Sequence, residues 1–423
     1  MYKKILVIKL RHIGDVLLTT PVFKALKENF PDSFVATLVN KGTEDVLENN
    51  PYLDEIITYD RSIKELPAFK RYLEEVKFLR KIRKMGFDTS IDLTGGDRAA
   101  VISYLSGAKI RIGIKSRGFL GKQYFYTKLF EIDGCKHTVL QNLEVLARIG
   151  IKTTRPEVIL NVTENEKKWA RELIFSCHSE TYIQPVPSKL NTEKSPYIKK
   201  VVHIHPTSRW LFKCWKDEYM AEVIRWFMDK GFNVVITSAP AEKEINKVNS
   251  ILNFLRTYIK NDYSTHCETD NAQSNLLISY CPSEPKQSVA PSSRQRVLEE
   301  YPFLINLAGK LTLRQLIAVS SVCDMYFGID TAPMHIAAAL GKPVVALFGP
   351  SGAFHWGPWD NSAEKDAYPE RNGIQKFGKN IVIQRDWQCI PCGQDGCKGS
   401  KISNCLFDIK PEEMIKILST IEL

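Results

Sequence analysis

Residues 326–349 read YFGIDTAPMHIAAALGKPVVALFG, and this stretch decides the fold class. An apolar run over residues 324–329 reads as a strand, a helix begins near Ala332, and a second strand occupies residues 343–348. Asp330 or Thr331 can cap that helix, and Pro333 suits its first turn because no amide donor is needed there. A strand, a helix and a strand in close succession make a parallel crossover unit.

The same alternation extends outward in both directions. Upstream strands are predicted over residues 201–205, 233–237 and 303–306, with helices between them. In the first half, strands fall at 3–9, 34–39, 55–59, 88–93 and 109–114, with helices at 16–30, 68–84 and 137–149. Within 68–84, Phe69, Leu73, Val76, Leu79 and Ile82 recur at three- and four-residue spacing, the mark of an amphipathic helix. The alternation lapses over 180–199, where Pro185, Pro187 and Pro196 suit a linker. An α/β architecture of two doubly wound domains follows: 1–179, then the linker 180–199, then 200–409, with a closing helical segment at 410–423. The polar residues 261–296 read as a surface insertion in the second domain.

The 423 residues are 44% apolar and 25% charged, which excludes a disordered, collagenous or disulfide-stapled chain. Lysine and arginine total 58 against 48 acids, a net charge of +10 that suits anionic partners without naming one. The opening apolar run Ile5–Ile8 stops at Lys9, well short of the roughly 20 residues of a spanning helix. A cytoplasmic protein with reduced cysteines is therefore expected, and no nucleic-acid partner.

In open parallel sheets, ligands bind beyond the carboxyl ends of the strands, often at helix starts that offer free amides. The residues following the second-half strands include Thr207 and Ser208, then Lys213 in a nearby loop, and later Asp330, Thr331 and Gly349. This set suits a phosphate-bearing ligand, with Lys213 to neutralise a diphosphate. The first strand runs into Leu10-Arg11-His12-Ile13-Gly14-Asp15. Asp15 reads either as a helix-start acid favoured by the dipole or as a carboxylate that takes a proton from an incoming hydroxyl. No GxGxxG follows the first strand, which argues against a nicotinamide-dependent oxidoreductase.

Taken in order, these motifs resemble the family 9 glycosyltransferases, the bacterial lipopolysaccharide heptosyltransferases. The resemblance runs through ILVIKLRHIGDVLLTTPVFKALKENFP, DTSIDLTGGDRAA, RIGIKSRGFLGK, HTVLQNLEVLARIGI, HPTSRWLFKCW and residues 305–350. FKCW and the cysteine-rich tail are most similar to the branch called heptosyltransferase III. The resemblance implies a GT-B fold, two Rossmann-like domains facing across a cleft. It implies ADP-L-glycero-D-manno-heptose as donor, the lipopolysaccharide inner core as acceptor, and inversion without a required metal. Asp15 then falls on the general base and Lys213 on the diphosphate-binding lysine, with Thr207 and Ser208 beside it. Glu242 falls on the ribose-binding acid and Asp330 on the acid at the donor heptose. Thr331, Ala332 and His335 fall on the phosphate-binding helix start. Ala332 departs from the family, which often has glycine there. A catalytically inactive nucleotide-sugar or core-binding protein is the alternative reading.

Basic stretches at 61–84 and 109–122 read as solvated faces or as acceptor-binding surface. Arg61, Lys64, Arg117 and His137 match or adjoin acceptor-facing positions of the family. Other basic residues could hold the protein peripherally against the cytoplasmic face of the inner membrane. Cys389 and Cys392 form a CxxC, with four residues between Cys392 and Cys397 and seven between Cys397 and Cys405. Four thiolates can close a structural zinc site, and reduced free thiols are the alternative.

Overall fold

The computed structural model describes residues 2–175, 182–183, 200–264, 304–362 and 367–421. They form two compact units, Met1–Asn161 and Val162–Leu423.

The first unit is built on six strands: β1 (Lys4–Lys9), β2 (Phe34–Asn40), β3 (Glu55–Tyr59), β4 (Thr89–Asp92), β5 (Ile110–Ile114) and β6 (Lys128–Phe130). They pair in parallel in the order β3-β2-β1-β4-β5-β6. β1 lies in the middle and reads Lys-Ile-Leu-Val-Ile-Lys, buried from Ile5 onward. That continuous apolar run is what a strand covered by helices on both faces requires. The strand order reverses between β1 and β4, the switch point at which doubly wound sheets bind ligands.

The second unit carries β7 (Tyr182–Ile183), β8 (Val201–His205), β9 (Asn233–Ile236), β10 (Leu304–Asn306), β11 (Met325–Ile329), β12 (Val344–Leu347), β13 (Gln375–Phe377) and β14 (Asn380–Ile383). The order is β13-β14-β12-β11-β8-β9-β10-β7. Its six central strands are parallel and repeat the topology of the first unit, with the switch between β8 and β11. β7 and β13 add antiparallel edges. Gly328 lies opposite His205 in the pairing of these two central strands. A Cβ on Gly328 would lie 2.6 Å from the His205 carbonyl oxygen and from the Tyr326 hydroxyl, so only glycine fits.

Several expected boundaries move, each for a local reason. The single helix expected over 16–30 is two helices, Ile13–Leu17 and Thr20–Asn29. Pro21 has no amide to donate to the preceding turn, and the Thr19 and Thr20 hydroxyls bond back to the carbonyls of Asp15 and Leu17. The division between units falls after Asn161 rather than at 179, because helix Glu164–Phe175 belongs to the second unit. Its Ala170 and Ile174 are buried with Val201, Val235 and Ile305. Its Glu166 also takes two hydrogen bonds from the Arg314 guanidinium, at 2.8 and 2.6 Å. Of the expected linker 180–199, Tyr182–Ile183 is edge strand β7, and the other residues lie outside those described. Of the expected insertion, residues 261–264 end the helix Glu242–Ser264 and the remainder lies outside the described residues. The closing helix is Pro411–Leu418.

Candidate functional site

At the switch point of the second sheet, the loop after β8 enters a short turn at Leu211–Lys213. Phe212 anchors this loop, buried, with its carbonyl accepting from the Ser403 hydroxyl at 2.6 Å. Lys213 then reaches the end of β11, where its Nζ donates to Asp330 Oδ2 at 2.6 Å. Burial alone would raise the Asp330 carboxyl, but the Lys213 charge and hydrogen bond, the Ser351 hydroxyl and nearby His335 hold it below its ordinary value. Asp330 is thus spent on Lys213 and Ser351 rather than on capping the next helix. Thr331, at the cap position of Ala332–Ala339, is extended and makes no side-chain cap either. The helix start thus carries no side-chain cap, and Asp330, which precedes its cap residue, holds the Lys213 ammonium group.

Thr207 is fully buried and its hydroxyl donates to Glu244 Oε2 at 2.8 Å. Ser208 Oγ accepts from the Trp210 amide at 3.2 Å and shapes the turn toward Lys213. Glu242 is exposed at the start of helix Glu242–Ser264. Beneath the same rim, the Thr237 hydroxyl sits 2.8 Å from both His203 Nε2 and His205 Nδ1. Ser320 completes the chain at His203 Nδ1, 3.3 Å away. Burial pushes both imidazoles down to about 3, so both are neutral at physiological pH.

At the switch point of the first sheet, Asp15 is half-buried in the first turn of Ile13–Leu17, and its Oδ2 accepts from the His12 amide at 3.3 Å. Lys9, at the end of β1, donates to the Leu93 carbonyl and to Asn142 Oδ1, both at 3.0 Å. Burial pushes Lys9 down to about 8, opposed by the negative charge of Asp15. Asp92 ends β4 fully buried, accepting from the Thr94 and Gly95 amides at 2.7 and 3.2 Å and from the Tyr126 hydroxyl at 2.5 Å. Burial raises its carboxyl, against those donors and the charge of Lys122.

The sequence profile of glycosyltransferase family 9 (heptosyltransferase) matches residues 76–261 and 273–381. The chain belongs to glycosyltransferase family 9. "Lipopolysaccharide heptosyltransferase 3" of Escherichia coli is 26% identical over 358 residues, spanning 84% of this chain and 85% of that one. Among solved structures, a family 9 glycosyl transferase from Veillonella parvula aligns at a TM-score of 0.66, covering 99% of this chain and 97% of that chain at 21% identity. Escherichia coli ADP-heptose lps heptosyltransferase II aligns at 0.64, covering 98% and 97% at 19% identity. This family 9 glycosyltransferase is therefore heptosyltransferase III-like in sequence and GT-B in fold, with two Rossmann-like domains.

In this glycosyltransferase the structure joins Lys213 to Asp330 and sets His335 in the same charge environment. Arg61, Lys64 and Arg117 are exposed on the first unit. His137 is buried as the cap of Thr138–Ala147, its Nδ1 accepting from the Val139 amide at 3.3 Å. Sequence reasoning placed Ser351 on the strand-end rim without assigning it a partner, and did not single out Glu244, Lys9 or Asp92. Lys9 and Asp92 are the last residues of β1 and β4, and that strand-end position was the available signal. In the tail, Cys389 and Cys392 are exposed, Cys397 is half-buried and Cys405 buried. Among the described residues, no three His, Cys, Asp or Glu side chains come together as a metal-binding group. No described helix is long and apolar enough to cross a membrane.

Proposed function

We propose that this enzyme moves heptose from ADP-L-glycero-D-manno-heptose to the inner core of lipopolysaccharide with inversion at the anomeric carbon. The observation that carries the reading is the Lys213–Asp330 pair beside an uncapped helix start at the second switch point. A diphosphate there competes with Asp330 for the Lys213 ammonium. Asp330 then accepts hydrogen bonds from the heptose hydroxyls, while Thr331, Ala332 and His335 line the phosphates. Exposed Glu242 takes the ribose hydroxyls, and Glu244 fixes Thr207 beneath them.

Asp15 is the general base. It accepts the proton of the acceptor alcohol as that oxygen bonds to the anomeric carbon and the bond to the ADP oxygen breaks. Negative charge grows on the departing ADP, and donors fixed beforehand stabilise such charge best. Lys213 and the helix amides supply those donors, so no metal is required and chelation leaves the rate unchanged. Arg61, Lys64 and Arg117 meet phosphate and carboxylate groups of the core, and His137 acts through the helix it caps. The names of the Escherichia coli relatives support the acceptor class. The reaction places the enzyme in the cytoplasm, peripheral to the inner membrane.

Incubation of purified protein with ADP-heptose and a heptose-bearing core acceptor tests the reading. ADP release matched by a product heavier by one heptose is expected. Tight donor binding without turnover would make the chain an inactive binding protein instead. Metal analysis of the same preparation separates the zinc and free-thiol states of the cysteine tail.

A further inference from the structure

We propose that Tyr326 is a positioning residue of the donor site, its phenol hydroxyl taking over the Asp330 carboxylate when a diphosphate draws Lys213 away. The inference deepens the transfer reading and rests on it for the ligand, a nucleoside diphosphate that competes for the Lys213 ammonium.

Side chains alternate between the two faces of β11. Met325, Phe327 and Ile329 join the apolar core on one face. Tyr326 and Gly328 therefore share the other face. Asp330 is next on it, because its amide still bonds to the Leu347 carbonyl at 3.1 Å and continues the ladder. Gly328 has no side chain to fill its place, and the Tyr326 phenol lies there instead. The hydroxyl oxygen is 2.6 Å from where a Gly328 Cβ would stand. The ring thus runs along the strand toward the Asp330 end, fully buried.

The Tyr326 hydroxyl has no hydrogen-bond partner among the described residues. The neighbouring imidazole of His203 meets the ring edge-on at 5.3 Å, and its two nitrogens face Ser320 Oγ at 3.3 Å and Thr237 Oγ1 at 2.8 Å. The charge that acts on the phenol is that of Asp330. Together with burial it raises the hydroxyl well above its ordinary value, so the proton stays on and is available to donate. A buried O–H left unpaired is costly, and a phenylalanine would fill the same slot without that cost. The hydroxyl is therefore explained by a state of the site in which it is paired.

Asp330 supplies that state. It is buried, and Lys213 at 2.6 Å, with the Ser351 hydroxyl, keeps it ionised. A diphosphate at the uncapped start of Ala332–Ala339 turns the Lys213 ammonium to itself and leaves a buried carboxylate short of its cation. Tyr326 is the donor two places back on the same strand face. Rotation of the carboxylate toward Gly328 brings one oxygen onto the phenol O–H, while the other stays turned to the rim for the heptose hydroxyls. Hydrogen bonds to an ionised acceptor are the strong kind, so the exchange recovers part of what the lost ion pair supplied.

The test combines Tyr326→Phe with Lys213→Ala in a cycle of thermal melts without ligand, and titrates ADP into the full-length wild type and Tyr326→Phe. Tyr326→Phe alone should melt at or above the wild-type temperature, because the deleted hydroxyl is unpaired while Lys213 holds Asp330. In the Lys213→Ala background the phenol already holds Asp330, so adding Tyr326→Phe should lower the melting temperature by about 2 °C or more. ADP affinity should fall about tenfold in Tyr326→Phe, the usual loss for one hydrogen bond to a charged group. A hydroxyl with a merely structural role would instead lower the melting temperature of the otherwise wild-type chain and leave ADP affinity unchanged. That result overturns the proposal, as does an equal effect of Tyr326→Phe on stability in both backgrounds. Lys213→Met takes the place of Lys213→Ala in the cycle if the alanine variant does not fold. Failure of the wild type to bind ADP would count against the transfer reading alone, since the melting cycle is read without ligand.

Discussion

A buried carboxylate keeps its charge only while something pays for its desolvation, and at Asp330 that is Lys213 at 2.6 Å. Lys213→Ala removes the partner and should cost about 1–3 kcal/mol of stability. It should also lower kcat/KM by about 10²–10³, the usual loss for one donor to a developing charge. The sign in pH is fixed by direction. Asp330 titrates lower in the folded chain than its ordinary 3.8, so its stabilisation is present above that value and fades as pH falls through the folded one. Lys213→Ala should lose that acid-side dependence, as urea melts at a series of pH values would record. Glu242 and Glu244 separate by readout. Glu242→Ala should weaken ADP binding by about tenfold at an unchanged melting temperature, whereas Glu244→Ala should lower the melting temperature because Thr207 loses its buried acceptor. The motif SAPAEKE offers both acids, and sequence does not show which one turns inward. Lys213 and Asp330 were legible as strand-end residues. Their mutual bond was not, because it joins loops 117 residues apart.

At the scale of elements, strands were easier to read than the junctions between helices. β8 has its expected bounds and β3 likewise, since short apolar runs between polar loops leave little choice. β6, β13 and β14 were not anticipated: three or four residues long, with lysine or asparagine among them, they pair only because a neighbouring strand is present. The histidines that end β8 give a prediction of their own. His203 and His205 have folded values of about 3 against 6.5, so the folded state binds fewer protons between those values. Stability should therefore fall as pH drops from about 6.5 toward 3. Thr237→Val, which deletes the hydroxyl shared by both rings, should cost about 1–3 kcal/mol at pH 7 in a thermal melt. Stability unchanged between pH 7 and 5 would remove the two rings from the acid response.

The whole molecule repeats one strand order in two units, and each switch point gathers its own chemistry: a half-buried acid and Lys9 in the first, the Lys213–Asp330 pair and helix start in the second. That duplication was legible because the strand and helix periodicities recur in both halves. The boundary was not, because helix Glu164–Phe175 follows the first unit in sequence yet packs in the second. Ligand linkage tests the second unit as a whole. ADP at 100 times its dissociation constant should stabilise the chain by about 2.7 kcal/mol, and the shift at that ADP concentration should shrink in Lys213→Ala. The central claim, that Asp15 is the base for heptose transfer, meets its most direct test in Asp15→Asn. Asparagine keeps an oxygen to accept the His12 amide, so the local turn survives while basicity is lost. Transfer by this variant, followed as ADP release with core acceptor, should fall by about 10²–10⁴ with donor affinity retained. Turnover near the wild-type rate would reduce Asp15 to a helix-capping acid and contradict the account.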